Sequence, residues 1–213
     1  MIALFDFDGV VADTESQYTV FWNSIGLEYL GIEDFCRRIK GQTLVQIFEG
    51  HFAGMEKEQA EIVPRLDEFE SKMSYEYIPG AYEFMLSLKE AGVPMAIVTS
   101  SNLPKMTQVY KARPELKGLV DAILTSEDFK KSKPDPECFL KAMEVLGGTP
   151  EDTVVFEDSF HGLDAGRASG AFVVGLATTN TREAIAPRCD MVIDDFTGLN
   201  LKNLMGLKIN FSV

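Results

Sequence analysis

Short, continuous apolar runs recur along the chain and predict buried β-strands. The runs are Ile2–Phe5, Met95–Val98, Val120–Leu124, Thr153–Phe156, Phe172–Leu176 and Met191–Ile193. Such mainly apolar runs, without alternation of polar and apolar positions, are typical of strands that are buried on both faces of a parallel sheet. Helical periodicity lies between them, for example at Phe84, Leu88 and Ala91. Strands that alternate with helices predict an α/β fold, in which helices cover both faces of a parallel sheet.

The segment from Thr14 to Tyr77 has a different pattern, with no convincing strand. Apolar side chains recur there at helical spacing, at Tyr18, Phe21, Trp22 and Ile25 and again at Ile62, Leu66, Phe69 and Met73. We expect Pro64 in the first turn of the second helix, where proline is tolerated. The pattern therefore predicts an all-helical cap of residues 14–77, inserted after the first strand. The core is then discontinuous and consists of residues 1–13 and 78–213.

Polar side chains follow three of the predicted strands. The candidate site residues are Asp6 and Asp8 after the first strand, Thr99 and Ser100 after the second, Glu157 and Asp158 after the run at 153–156, and Lys133 on a loop before a helix. The carboxyl ends of parallel strands meet at one edge of the sheet, where ligands bind in open α/β folds. We therefore expect all of these side chains to meet at one site.

Asp6 and Asp8 are separated by one residue, so they leave an extended strand on the same side. Two carboxylates held so close repel each other and require a cation or a shared proton. An Asp-x-Asp-Gly sequence is also typical of an ordinary turn after a strand. The other polar clusters expected at the same sheet edge favour a functional site at Asp6 and Asp8 over an ordinary turn.

The charge balance limits the classes of partner. The 213 residues carry a formal net charge of −13, which argues against nucleic acid as a partner. An anionic substrate would need a divalent cation and a well-placed lysine to offset this field. Two histidines leave little room for a histidine-based zinc site.

The apolar stretches and the cysteines of the sequence indicate a cellular location. We expect no membrane span and no signal peptide, because no apolar stretch is long enough and no basic leader precedes the first strand. Cys36, Cys138 and Cys189 form no Cys-x-x-Cys pair, which favours buried, reduced thiols and a cytoplasmic protein.

The four polar clusters, in this order, resemble the four motifs of the haloacid dehalogenase superfamily. They are Asp6-Phe-Asp8-Gly, Thr99 after an apolar strand, Lys133-Pro, and Glu157-Asp158-Ser-x-x-Gly162-x-x-Ala165. Within that superfamily the sequence is most similar to the β-phosphoglucomutase-like phosphatases, which carry a helical cap after the first motif. The resemblance covers essentially the whole chain. It implies a Rossmann-like core and phosphoryl transfer through an aspartyl-phosphate.

The resemblance also implies roles for individual residues. Asp6 would be the nucleophile, and Asp8 would act first as the acid and then as the base. Thr99, the Ser100 amide at the start of a helix, and Lys133 would hold the phosphate. Magnesium would be bound by the Asp6 carboxylate, the Asp8 backbone carbonyl and Asp158, and by Glu157 directly or through water. The substrate would be a small phosphorylated metabolite, and the default oligomeric state is a monomer.

Three other activities are alternatives to hydrolysis of a phosphomonoester, and the sequence argues against each of them. Dehalogenases lack the second aspartate, which is present here as Asp8. The β-phosphoglucomutases carry a cap histidine and an arginine where this chain has Tyr18 and Leu44, so a mutase is the second choice. A phospho-accepting receiver domain is the third, although receivers are shorter and have no helical insertion.

Three polar residues outside the motifs have less specific interpretations. Asp13 would lie near the metal or cap the following helix. His161 and His51 are expected to have surface or packing roles. The crossings between the inserted segment and the core, 12–15 and 77–80, are expected to act as hinges, with Pro79-Gly80 as the pivot.

Overall fold

A six-stranded parallel sheet forms the centre of the computed structural model, which describes residues 1–204. Its strands are β1 (Ile2–Phe5), β2 (Met95–Val98), β3 (Ala122–Leu124), β4 (Thr153–Glu157), β5 (Phe172–Leu176) and β6 (Met191–Ile193). The spatial order is β3-β2-β1-β4-β5-β6, and every neighbouring pair is parallel. The predicted α/β fold is therefore confirmed.

The third strand is shorter than the sequence predicted and begins at Ala122 rather than Val120. Asp121 precedes it, and its side-chain oxygen accepts a hydrogen bond from the Met95 amide at 2.8 Å. This side-chain contact anchors the chain before regular strand pairing starts at Ala96 and Ala122.

The strand order brings the ends of three strands together. β1 lies between β2 and β4, and Phe5 pairs with Ile97 on one side and Phe156 on the other. The chain thus leaves β1 toward β2 on one side and reaches β4 on the other, which is the arrangement that opens a ligand crevice in open α/β sheets. The residues that follow β1, β2 and β4 meet at this crevice.

Helices cover the sheet and form the inserted segment. In chain order they are α1 (Glu15–Ile25), α2 (Phe35–Ile39), α3 (Leu44–His51), α4 (Glu56–Lys72), α5 (Ala81–Glu90), α6 (Leu103–Ala112), α7 (Leu116–Leu119), α8 (Glu137–Leu146), α9 (Phe160–Ala168) and α10 (Arg182–Ile185). A π-helical turn at Gly26–Leu30 extends α1, and 3₁₀ turns lie at Pro150–Asp152 and Ala186–Arg188. No helix among residues 1–204 is long and apolar enough to cross a membrane.

Two hydrophobic cores lie on opposite faces of the sheet. One contains Phe5 and Phe156, whose rings stack with centroids 4.7 Å apart, and it continues into the inserted segment. The other contains Leu4 and Phe139. Neighbouring residues of β1 therefore pack on opposite cores, as the period of two requires.

The segment between β1 and β2 is helical, but the position of Pro64 differs from the prediction. α4 begins at Glu56, so Pro64 lies in the interior of the helix rather than in its first turn. The acidic residues Glu56 and Glu58 supply that first turn, where negative charge is favoured by the helix dipole. The apolar periodicity starts only at Ile62, which is why the sequence placed the start of the helix too late.

The two crossings between the inserted segment and the sheet pair with each other. Ala12 and Tyr77 form an antiparallel bridge, and the Asp13 amide donates to the Glu76 carbonyl at 2.8 Å. The Ile78 amide donates to the Val11 carbonyl at 3.0 Å. This ribbon joins both crossings at one point, and their role as hinges stays a prediction. The division into a core of 1–13 and 78–213 and a cap of 14–77 stays a prediction.

Two glycines at the ends of α5 provide a matched test of this junction. Gly80 and Gly92 have φ angles of +76° and +70°. A Cβ on Gly80 would lie 2.7 Å from the Phe196 carbonyl carbon, whereas one on Gly92 would meet nothing within 4 Å. We expect Gly92→Ala to cost about 1–2 kcal/mol from backbone strain alone. Gly80→Ala should cost about 1–3 kcal/mol more, because Phe196 must move.

Chemical denaturation of both variants measures this difference. Equal stability of the two variants would contradict the close approach of Gly80 to Phe196.

Candidate active site

A buried lysine joins two of the predicted motifs at the carboxyl edge of the sheet. Lys133 Nζ donates to Asp6 Oδ1 at 2.6 Å, to Glu157 Oε1 at 2.7 Å and to the Val98 carbonyl at 3.2 Å. Its side chain is 1% exposed. The residues that end β1, β2 and β4 are thus linked through one ammonium group, as the sheet order requires.

The electrostatics of this cluster follow from its burial. Burial alone lowers the pKa of Lys133, but the carboxylates of Asp6 and Glu157 outweigh it and raise the pKa above its ordinary value. Burial raises the pKa of Asp6 to about 8, because Lys133 offsets only part of the desolvation and Glu157 and Asp8 add repulsion. Lys133 alone therefore does not keep all the carboxyl groups of this cluster ionised.

Glu157 is held by four hydrogen bonds. Besides the bond from Lys133, its Oε2 accepts from the Asp158 amide at 2.8 Å, the Ser159 amide at 2.8 Å and Ser159 Oγ at 3.1 Å. Each carboxylate oxygen offers about two acceptor positions, so Oε2 is filled, whereas Oε1 accepts only the bond from Lys133. Whether Glu157 would bind a metal directly or through water stays open, as in the prediction.

Asp8 is also surrounded by donors, and sequence reasoning missed all three. Thr14 Oγ1 donates to Asp8 Oδ1 at 2.5 Å, and Ser101 Oγ donates to Oδ2 at 2.9 Å. Lys105 Nζ lies 2.5 Å from Oδ1 and 2.6 Å from Oδ2. Burial opposes ionisation of Asp8, but Lys105 and these hydrogen bonds outweigh it and hold the pKa below its usual value.

Asp158 lies against the loop that carries Asp8. A Cβ on Gly9, whose φ is +75°, would lie 2.3 Å from Asp158 Oδ2, so only glycine permits this approach. Burial, together with the charges of Glu157, Glu15 and Asp6, raises the pKa of Asp158 well above its usual range. Asp158 forms no ion pair with any residue in 1–204.

These donors fit a hard divalent cation such as Mg²⁺. Asp6 and Asp158 are buried carboxyl groups in one cluster, and their raised pKa values show that Lys133 alone does not favour the ionised form of both. Carboxylate and backbone carbonyl oxygens are the protein ligands that Mg²⁺ prefers. Within the described part of the chain, no group of three or more His, Cys, Asp or Glu side chains forms a metal site by side chains alone. The predicted set depends on a backbone carbonyl, that of Asp8, for its third ligand.

Thr99 and Ser100 lie at the end of β2, as predicted, although Ser100 is not at the start of a helix. Thr99 is buried, and its Oγ1 accepts a hydrogen bond from the Ser101 amide at 3.0 Å. α6 begins only at Leu103, with Asn102 as its N-cap. Ser100 is instead in the preceding loop, where its hydroxyl donates to the Gly41 carbonyl at 3.3 Å.

A cavity of about 750 Å³ opens onto all seven predicted site residues. Its other wall comes from the inserted segment and includes Tyr18, Trp22, Leu44 and Phe48. The structure therefore brings the predicted residues together, while their chemical roles stay predictions.

The loop that starts at Lys40 and the first turn of α3, which follows it, close one side of this cavity. Gln46 Nε2 donates to the Lys133 carbonyl at 3.2 Å, and His161 Nδ1 lies 3.1 Å from the Lys40 carbonyl. The half-buried His161 thus has a packing role, as expected, between the inserted segment and α9. Asp13 caps no helix, because the N-cap of α1 is Thr14 and Asp13 is exposed.

Comparison with known proteins identifies the family. The model of the haloacid dehalogenase-like hydrolases matches residues 3–176. The chain belongs to this family, and the predicted recognition and the prediction of an enzyme are both confirmed.

Two curated relatives have different activities. Hexitol phosphatase A of Escherichia coli (strain K12) is 30% identical over 181 residues, covering 81% of this chain and 81% of the relative. The β-phosphoglucomutase of Bacillus subtilis (strain 168) is 29% identical over 189 residues, again covering 81% of each chain. Overall similarity therefore does not separate hydrolysis from mutase activity.

A solved structure agrees with the fold. The family IA, variant 3 hydrolase of Entamoeba histolytica superposes with a TM-score of 0.84 at 23% identity, covering 98% of this chain and 99% of that one. At this level of identity the comparison supports the architecture alone.

Gly162 provides a test of how the cluster is held. A Cβ on Gly162 would lie 1.7 Å from Glu157 Oε1, and the four bonds to Glu157 resist its displacement. We expect Gly162→Ala to destabilise the fold by about 1–3 kcal/mol. Activity should fall about 10- to 100-fold, because Glu157 orients Lys133.

Gly50→Ala is the matched control, since Gly50 also lies in a helix and a Cβ there would meet nothing within 4 Å. Thermal unfolding and phosphate release should change in Gly162→Ala and stay near wild type in Gly50→Ala. Wild-type behaviour of Gly162→Ala would contradict the packing described for Glu157.

Proposed function

We propose that this protein is a Mg²⁺-dependent phosphatase that hydrolyses a small phosphomonoester, a sugar phosphate in class, through an aspartyl-phosphate on Asp6. The observation that carries the proposal is the meeting of four sequence-distant segments at one cavity, joined by the contacts of Lys133 with Asp6 and Glu157. Family membership and the name of the hexitol phosphatase relative support the substrate class.

The first step transfers the phosphoryl group to Asp6. The Asp6 carboxylate attacks phosphorus, the bond from phosphorus to the ester oxygen breaks, and Asp8 gives that oxygen the proton that it took from water in the preceding turnover. Because Lys105 and the hydrogen bonds to Asp8 favour its ionised form, Asp8 must be at least partly released from them to carry this proton. In the second step Asp8 takes a proton from water, which attacks the phosphorus of the aspartyl-phosphate. Phosphate leaves, and the Asp6 carboxylate is restored.

The remaining site residues hold the transferred group. Lys133 and the hydroxyl of Thr99 line the cavity beside Asp6, and Ser100 lies next to Thr99. These groups supply the positive charge and the donors that a phosphoryl group needs during transfer. Asp6, the Asp8 backbone carbonyl and Asp158 would hold Mg²⁺, with Glu157 bound directly or through water. When bound, Mg²⁺ would neutralise charge on the phosphoryl oxygens.

The cavity favours a substrate with one phosphate. Three of the lysines that line it are already paired: Lys40 with Glu15, Lys105 with Asp8, and Lys133 with Asp6 and Glu157. The fourth, Lys130, is exposed, and no arginine of the described residues lines the cavity. A second phosphate would therefore have no unpaired buried cation to bind.

This charge pattern favours hydrolysis over the mutase alternative. A mutase must accommodate both phosphates of a bisphosphate, and Leu44 stands at the cavity wall where the mutases carry an arginine. The mutase stays the second candidate because of the Bacillus subtilis relative.

Phosphate release tests the proposed function directly. A panel of phosphorylated metabolites should show release that depends on Mg²⁺ and falls to background in Asp6→Asn. Asp13→Asn is the matched control, because Asp13 is an exposed carboxylate that does not line the cavity. Interconversion of hexose 1- and 6-phosphates without free phosphate would contradict hydrolysis and establish the mutase.

The preference for one phosphate gives a separate prediction. A hexose bisphosphate should bind at least about tenfold more weakly than the matching monophosphate, since its second phosphate would lose water without gaining a cation to pair with. Leu44→Arg should reduce the difference in affinity between the two ligands, because the arginine supplies a cation for the second phosphate.

Val20→Arg is the control for net charge, because Val20 is 74% exposed and does not line the cavity. The inhibition constants of both ligands measure the effect. Equal binding of the two ligands by the wild type would contradict the prediction.

A further inference from the structure

Asp8 cannot reach a leaving group while all of its acceptor positions are filled. Its carboxylate accepts four hydrogen bonds, one from Thr14, one from Ser101 and two from Lys105. A carboxylate has about four acceptor positions. At least one donor must therefore separate from Asp8 before it can contact the ester oxygen.

Among the three donors to Asp8, Lys105 is a lysine in a buried position. It lies in the first turn of α6, and it is 4% exposed although it is a lysine. A buried ammonium group is costly unless it is paired and hydrogen-bonded. Asp8 is its ion-pair partner, and no other carboxylate in 1–204 lies within ion-pair distance.

Lys105 also contacts the inserted segment. Its ammonium lies 4.5 Å from the centre of the Tyr18 ring in α1, within the range of a cation–π contact. Tyr18 in turn donates to Glu70 Oε1 in α4 at 2.7 Å. Asp8 is thereby connected through Lys105 and Tyr18 to two helices of the inserted segment.

This arrangement is more specific than general stabilisation of the fold. Lys105 gives both of its hydrogen bonds to the one carboxylate proposed as the acid. Thr14, another donor to Asp8, is the N-cap residue of α1. A shift of α1 relative to the sheet would therefore move the Thr14 donor and the Tyr18 ring that Lys105 contacts.

We propose that Lys105 is a positioning residue that sets the orientation of the Asp8 carboxylate and couples it to the inserted helices through Tyr18. This inference rests on the proposed phosphatase function. Lys105 contacts no reacting atom in it and acts only through Asp8. Its loss should therefore impair the step that needs a proton from Asp8 more than a step that does not.

Two phosphate esters distinguish a first step that needs a proton from Asp8 from a first step that does not. p-Nitrophenyl phosphate releases a phenolate that needs little protonation, whereas benzyl phosphate releases an alkoxide that needs a proton. The ratio kcat/KM covers only the steps through phosphoryl transfer to Asp6. We expect Lys105→Met to lower kcat/KM for benzyl phosphate at least about tenfold more than for p-nitrophenyl phosphate, since general acid catalysis contributes about 10²–10⁴-fold.

Lys105→Gln and Lys130→Met complete the experiment. Lys105→Gln keeps a neutral amide NH₂ donor and should recover part of the benzyl phosphate rate. Lys130→Met removes an exposed lysine at the same cavity and should affect both esters equally. If thermal unfolding shows that Lys105→Met does not fold, Lys105→Gln is judged by the same ratio.

An equal fall for both esters, or no fall for either, would overturn the positioning role. Failure of the wild-type protein to release phosphate from either ester would contradict the proposed function instead, and this inference with it.

Discussion

The structure depends on a cluster of buried carboxyl groups at the edge of the sheet, whose ionisation a single buried lysine supports only in part. Asp6, Glu157 and Asp158 lie together at the edge of the sheet, and Lys133 contacts only the first two. Removing charge from water is costly unless each group is paired or hydrogen-bonded. Four donors satisfy Glu157, while Asp6 and Asp158 keep raised pKa values. A divalent cation would allow Asp6 and Asp158 to ionise together, which is the physical reason to expect one.

The parallel sheet makes this concentration of charge possible. β1 lies between β2 and β4, so residues about 90 and 150 positions apart in sequence meet after one strand end. Stacked rings of Phe5 and Phe156 fix the two central strands directly below the site. The inserted helices then close the opposite side, through contacts such as that of Gln46 with the Lys133 carbonyl. A rigid base and a separately attached wall suit a site that must admit a substrate and exclude water.

Much of this arrangement follows from the sequence, because apolar runs and motif spacing act locally. The run Ile2–Phe5 followed by Asp6 and Asp8 predicts both a buried strand and the start of the site. The sequence does not single out Lys105, because its role comes from a tertiary contact with Asp8. In the sequence of α6 it is simply a polar residue next to the buried Met106. Thr14 was missed for the same reason, since its hydroxyl bonds to Asp8 rather than capping α1. The start of α4 was misplaced because its first turn is acidic and carries no apolar periodicity.

The central claim is that Asp6 carries the phosphoryl group, and trapping that intermediate tests it most directly. The protein is mixed with Mg²⁺ and p-nitrophenyl phosphate, quenched in acid and reduced with borohydride, which converts an aspartyl-phosphate to homoserine. Peptide mass spectrometry should then find homoserine at position 6 and unmodified aspartate at positions 8 and 158. Phosphate release without modification of Asp6, or with modification of Asp8 or Asp158, would contradict the account.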